Sequence, residues 1–234
     1  MRRLLPLLAL AIALGACQYP RDVEGTLERV RGGVMHVGIS ESDPWVRTGG
    51  RVPGGVEVQL LKRFAHTLGA RIEWVRGSES DLVEALHGRK LDVVAAGLTR
   101  RSEWQRTAAL TRPYLTTTVV IAAPDEAAAD ELSSDLGGRH IAVEANSPEA
   151  AKLSQDTDAI PREVEDVTKA RGPVVVEDFM LDELGLVATD AELDEHEHCM
   201  AVAMGENAFL VELERFLLDR EHEAAQILER ESRA

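Results

Sequence analysis

Across 234 residues the chain is 44% hydrophobic and only 4% aromatic, enough apolar surface for one large core or two small ones. Its formal net charge of −15 argues against a nucleic-acid partner, because phosphate binding needs a basic face. The acidic excess otherwise serves solubility.

The chain opens with a basic n-region, Met1-Arg2-Arg3, and an apolar h-region, Leu4 to Leu14, too short to span a bilayer comfortably. Leu14-Gly15-Ala16-Cys17 resembles the bacterial lipobox, whose small residues let the signal peptidase reach the backbone. Residues 1–16 are therefore read as a lipoprotein signal peptide and Cys17 as the lipidated new N-terminus; the alternative is an ordinary secretory signal with a chance Cys. The expected location is the cell envelope, lipid-anchored and facing the periplasm from the inner or outer membrane. In a host with one membrane it is the extracytoplasmic face of the plasma membrane. Gln18 in place of Asp permits outer-membrane sorting. Of the two cysteines only Cys199 then has no lipid, so no intramolecular disulfide is expected and Cys199 reads as a buried thiol. Residues 17–31, polar and charged, read as a tether.

Val34–Ile39 is the first expected strand, apolar enough for burial on both faces. A Gly- and Pro-rich loop carrying Pro44-Trp45 follows. Val56, Leu60, Leu61, Phe64 and Leu68 recur at helical spacing, with Gly69 placed as a C-terminal cap. Ile72–Val75 is a second strand, and a helix with Leu82, Val83 and Leu86 follows, capped by Ser80 and stopped at Gly88. The run Leu91-Asp92-Val93-Val94-Ala95-Ala96-Gly97-Leu98-Thr99 reads as a short buried strand ending at a Gly. Small residues there leave backbone N–H groups open to a polar ligand, and ligands of open α/β sheets bind beyond the carboxyl ends of strands. Thr116–Ala122 is a β-branched run leaving this lobe. His140–Val143 and Val174–Val176 are strands of a second α/β unit, and Asn146-Ser147-Pro148-Glu149 opens a helix with Ser147 as N-cap. Cys199–Met204 is a last strand before two amphipathic helices. The βαβ alternation implies parallel pairing.

Asp194-Glu195-His196-Glu197-His198-Cys199 alternates possible metal ligands, and in an extended strand His196 and His198 share a face. An exposed acidic loop is the simpler reading, and no metal or cofactor is assigned. No nucleophile elbow, phosphate loop or zinc-protease helix is present in the sequence.

The order of elements and the stretch Ala96-Gly97-Leu98-Thr99 to Thr111-Arg112-Pro113-Tyr114 resemble the family 3 solute-binding proteins of bacterial ABC transporters. The resemblance runs from about Val34 to Leu228. It implies an α/β, two-lobed fold of the type 2 periplasmic binding proteins, each lobe a mainly parallel sheet flanked by helices. Lobe 1 spans 32–117 plus 199–234 and lobe 2 spans 118–198, with hinges near Thr117 and His198. The resemblance places ligand contacts at Gly97 and Thr99, at Trp45 in the first loop, at Ser147 on the helix N-terminus, and at Asp178 as receiver of an α-ammonium. It puts the carboxylate-clamping Arg at position 104, where this chain has Trp104. Indole offers one donor and no charge, so Arg100, Arg101 or Arg106 would have to replace it, with Arg101 taken as the candidate. Packing within the lobes is the alternative for each of these side chains.

What the resemblance implies first is a monomeric, lipid-anchored binding protein that captures an amino-acid-like solute and passes it to an ABC permease. A second resemblance, carried by Ala95-Ala96-Gly97-Leu98, is to the N-terminal, non-catalytic part of membrane-bound lytic transglycosylases, implying a cell-wall-associated or sensory role. A third is to dehydratases of cyclic carboxylic acids, against which the missing Arg counts.

Overall fold

The computed structural model describes residues 20–233. The expected signal peptide and the expected lipidation at Cys17 lie outside the described residues. Two five-stranded mixed sheets, each flanked by helices, form two lobes of an α/β fold.

In lobe 1, β1 (Val34–Ile39) pairs in parallel with β2 (Arg71–Arg76) and with β3 (Val93–Ala95). The helices α2 (Val56–Thr67) and α3 (Glu79–His87) make the crossovers, after α1 (Thr26–Val30) at the start of the lobe. β10 (Ala201–Val202) then adds antiparallel to β3, and β4 (Ala109–Leu110) antiparallel to β10. The apolar face of α2 seats Val58, Leu61 and Phe64 on one side of the sheet. Two helices close the chain there, α7 (Asn207–Leu218) and α8 (Glu221–Glu231), supplying Phe209, Leu213, Ile227 and Leu228.

In lobe 2, β5 (Leu115–Ala123) pairs antiparallel with β8 (Val174–Glu177) and β9 (Val187–His198). β6 (His140–Glu144) pairs in parallel with β7 (Ile160–Val164) and β8. α4 (Glu126–Ser134), α5 (Pro148–Asp156) and the short α6 (Leu181–Leu184) cover it. Only half of the pairings in each sheet are parallel: β10 runs against β3 and β4 in lobe 1, and β5 runs against β8 and β9 in lobe 2. The strands joining the lobes are β5 and β9, paired from Leu115 opposite His198 to Ala123 opposite Val187, with register shifts at Val119/Val120 and Val120/Ala122.

Three local expectations are corrected. Ser78, not Ser80, caps α3: its side chain accepts the Asp81 amide, and Ser80 already lies inside the helix. The stretch around Asp194 is no loop but the end of β9, with Asp194 and His198 buried. The tether ends early. Asp22 accepts the amides of Leu27, Ala208 and Phe209, Val30 is fully buried, and Arg29 pairs with the buried Asp92, so residues 22–31 belong to lobe 1. The polar composition concealed this because the stretch is held mainly by hydrogen bonds, with one buried valine. Cys199, at 0% exposure, is a buried thiol that burial pushes up to about 12.

Val30→Ala removes two methyl groups from a closed core, and urea unfolding is expected to report a loss of about 2 kcal/mol. An unchanged midpoint would return the segment to the status of a tether.

Candidate functional site

The site is built on a buried carboxylate. Glu57, in the first turn of α2, is 0% exposed and accepts the Gly97 amide at 3.1 Å and the Tyr114 hydroxyl at 2.9 Å. Burial pushes its carboxyl up to about 7. One side chain thus ties α2 to the loop after β3 and to the approach to β5. Gly97 has φ +65°, and a Cβ there would run into Ser42 and reach 3.0 Å from the Trp45 ring, so only glycine fits. Gly55 lies as close behind the Trp45 backbone, where a Cβ would meet the Trp45 carbonyl carbon at 2.7 Å.

Between the lobes lies a cavity of about 590 Å³. Lobe 1 contributes Ser42, Asp43, Trp45, Gly97 and Thr99; lobe 2 contributes Glu144, Ser147, Glu149, the stretch 165–168, Glu177, Phe179 and His196. Its aromatic wall is Trp45, stacked on His198 with centroids 3.7 Å apart and edge-on to Phe179 at 6.0 Å and to Tyr114 at 6.4 Å.

Alternation along β9 sets His196 and His198 on one face, both against the cavity, yet their environments are opposite. His196 lies between Glu177, 2.8 Å from Nδ1, and Glu149, 3.2 Å from Nε2, and their hydrogen bonds hold it up to about 10, a permanent imidazolium. In return they hold Glu149 below the usual carboxylate range. His198 is 2% exposed, and desolvation pushes it down to about 4. Its Nε2 is 2.9 Å from Thr117 Oγ1, whose hydroxyl donates to Glu177. Because that hydroxyl proton is spent on a carboxylate, His198 Nε2 is the donor, and Nδ1 carries the bare lone pair.

Among the residues expected at the site, the structure brings Trp45, Gly97, Thr99 and Ser147 to the cavity wall. The Gly97 amide is taken by Glu57, and Ser147 Oγ accepts the Ala150 amide as N-cap. Thr99 bridges to His198 across the junction between lobes. Three residues lie outside the wall. Arg101 pairs with Asp194, which also holds Lys152 at 2.8 Å. Trp104 packs beside Leu82, Leu86 and Ala96 and donates to Glu79. Asp178 accepts the Phe179 amide at 2.8 Å, and burial raises its pKa. Among the described residues, no Arg or Lys lines the cavity. Sequence reasoning missed Glu57, Glu149, Glu177 and Phe179 as parts of the site. The spacing of His196 and His198 was the signal that pointed to the β9 side of this wall. Among the described residues, no group of three or more His, Cys, Asp or Glu is arranged to hold a metal ion.

The chain shares its sequence pattern and its fold with known proteins. The model of the bacterial extracellular solute-binding proteins, family 3, matches residues 35–230. Among solved structures, an ancestral cationic amino acid solute binding protein is similar at TM-score 0.70 and 20% identity, covering 88% of this chain and 98% of that one. The unliganded, open L-cystine solute receptor of Neisseria gonorrhoeae also gives 0.70, at 15% identity, covering 84% and 91%. The arginine-bound form of truncated ArgBP from T. maritima gives 0.56 at 21% identity, covering 84% and 99%. Among curated proteins, membrane-bound lytic murein transglycosylase F of Vibrio parahaemolyticus is 29% identical over 105 residues, 44% of this chain and 20% of that protein. The same enzyme of Photobacterium profundum is 37% identical over 94 residues, 39% and 18% respectively. The chain thus spans about a fifth of the length of these curated relatives.

The raised Glu57 gives this brace a pH signature. Its stabilising contribution is complete below the unfolded carboxyl value near 4.5 and is lost as pH rises through about 7, because the folded state must then bury a charge. Glu57→Gln keeps one carbonyl acceptor, places an NH2 donor at the other position and removes the titration. Calorimetry should therefore find the variant gaining on the parent between about pH 5 and 8. Parallel stability curves would sink this account.

Proposed function

This chain belongs to the bacterial extracellular solute-binding proteins, family 3, and we propose that it is a lipid-anchored binding protein of the cell envelope. It captures a small polar solute between its lobes and presents the closed form to an ABC-type permease. The observation carrying this reading is the cavity of about 590 Å³ whose wall draws on both lobes. A solute that touches both sides favours the closed arrangement by its differential affinity, and occupancy becomes a change of shape that a partner reads. Periplasmic binding proteins close around their ligands by hinge motion, with a few residues in the connecting segments absorbing the change. Here the connecting strands are β5 and β9, paired from Leu115 to His198, and they would carry the bending.

Amino-acid-like solutes fit the class, since the structural neighbours include an arginine-bound protein and one complexed with lysine. The anchor is Cys17 after Leu14-Gly15-Ala16. Binding rather than catalysis fits a cavity whose charged histidine, His196, is locked between two carboxylates. A second reading rests on the partial likeness to membrane-bound lytic murein transglycosylase F, a non-catalytic role at the cell wall in which the same cavity takes a wall fragment.

A thermal-unfolding screen against amino acids, amines, small carboxylates and muropeptides tests the first reading. A ligand at a hundred times its dissociation constant adds about 2.7 kcal/mol, roughly 5–11 °C for a chain of this size. A shift with a small solute upholds it. A shift with muropeptides alone transfers the role to the cell wall, and silence across the screen overturns solute capture.

A further inference from the structure

The charges around the cavity select among solutes. Asp43, Glu144, Glu149, Glu165, Asp166 and Glu177 all line it. Against these six carboxylates stand three cations: Arg47 paired with Asp43, Lys169 paired with Asp166, and the His196 imidazolium shared by Glu149 and Glu177. At least three negative charges remain uncompensated, since Arg47 also pairs with Glu231. Among the described residues no side-chain hydrogen bond or ion pair holds Glu144 or Glu165.

A second observation is independent of charge. His198, in the same wall and 2% exposed, has no partner for Nδ1 among the described residues. The chain of hydrogen bonds through Thr117 to Glu177 assigns the proton to Nε2, so the orphan is an acceptor in want of an N–H donor. A buried acceptor left bare costs free energy that a donating ligand recovers. Beside it on the same wall stand the Trp45 and Phe179 rings, edge-on to each other, and an aromatic face is the part of a ring that attracts a cation.

A ligand carboxylate, by contrast, finds no Arg or Lys clamp among the described residues of the wall. The Gly97 amide is occupied by Glu57 and the Arg101 guanidinium by Asp194, and position 104 carries indole. An α-carboxylate would enter a field of at least three excess negative charges without a cationic clamp.

Deepening the binding reading and resting on it, we infer that the solute is an organic cation of the amine or guanidinium class without a carboxylate. Its N–H groups face Glu144, Glu165 and His198, and its alkyl or planar part lies against Trp45 and Phe179. Zwitterionic amino acids with the same side chain bind less well.

Isothermal titration of the purified protein with two matched pairs, agmatine against arginine and cadaverine against lysine, isolates the carboxylate. Glutamine and glutamate complete the panel. The expected result is binding of at least one amine at least tenfold tighter than its amino-acid counterpart, weakening as salt is raised. The double substitution E144Q/E165Q, at two exposed positions, should reduce that affinity about tenfold while leaving the thermal midpoint of the unliganded protein in place. Arginine or lysine binding more tightly than its amine, or an affinity indifferent to E144Q/E165Q, overturns the cation assignment. Glutamine or glutamate binding in place of both amines also overturns it and leaves the solute-binding reading standing. Silence from all six probes and from the wider solute screen overturns both.

Discussion

The contact on which the rest of this molecule depends is the buried carboxylate of Glu57. A carboxyl group without solvent is expensive, and here it is kept by an amide, a phenol hydroxyl and a raised proton affinity. What it fixes justifies the expense. The loop after β3 has no regular structure of its own, and its Gly97 turns back at positive φ against Ser42 and Trp45. Without the tie to α2, the loop would keep the small residues that let it approach closely but lose the partner that sets its position. Tyr114, fully buried, carries the same restraint to the point where the chain leaves lobe 1.

From there a second network crosses between lobes. Thr117 on β5 joins Glu177 on β8 to His198 on β9, and His198 stacks on Trp45 of lobe 1. Leu98 and Arg100 exchange backbone hydrogen bonds with Cys199 and Glu197, so the site loop is stitched to the returning strand. Arg101, on that loop, reaches Asp194 of lobe 2, and Arg233 beyond α8 reaches Asp182 of α6 at 2.7 Å. Arg233 and Asp182 are both exposed, so that pair contributes about a kcal/mol or less, whereas Arg101 serves a buried carboxylate that Lys152 also holds. The exposed pair sets a preference for one lobe arrangement without locking it.

Much of this was legible in the sequence, and the limits have physical causes. Period and punctuation marked out β1, α2, α5 with its Ser147 cap, and the short strand ending at Gly97, because those elements bury continuous apolar faces. β9 was not legible. Its residues 192–198 are almost all acidic or His, types that strands disfavour, and pairing with β5 overrides that preference. β7 contains Pro161 and two charged residues, tolerated because it is an edge strand. Glu57 is the instructive omission. A carboxylate in the first turn of an amphipathic helix reads as a solvated charge favoured by the helix dipole, and nothing local reveals the amide and phenol that bury it. The expected clamp at Arg101 illustrates the converse. Sequence spacing offered a guanidinium close to the site, and only the fold reveals that Asp194 has claimed it.

His196 and His198 complete the logic of the acidic wall. They lie two residues apart on one strand, with centroids 6.3 Å apart, and both approach Glu177. Had both been charged, their repulsion at this depth would work against β9; had both been neutral, Glu149 and Glu177 would face each other without a counter-ion. The fold divides the roles. His196 has two carboxylates as partners and keeps its proton, whereas His198 has a hydroxyl and an indole face and releases it. Glu177 serves both, accepting from His196 and, through Thr117, fixing the proton of His198 on Nε2. The wall is therefore charged where a lobe 2 cluster needs neutralising and bare where the lobes meet. A recognition surface made this way is rigid in its protonation, since neither histidine titrates near neutrality.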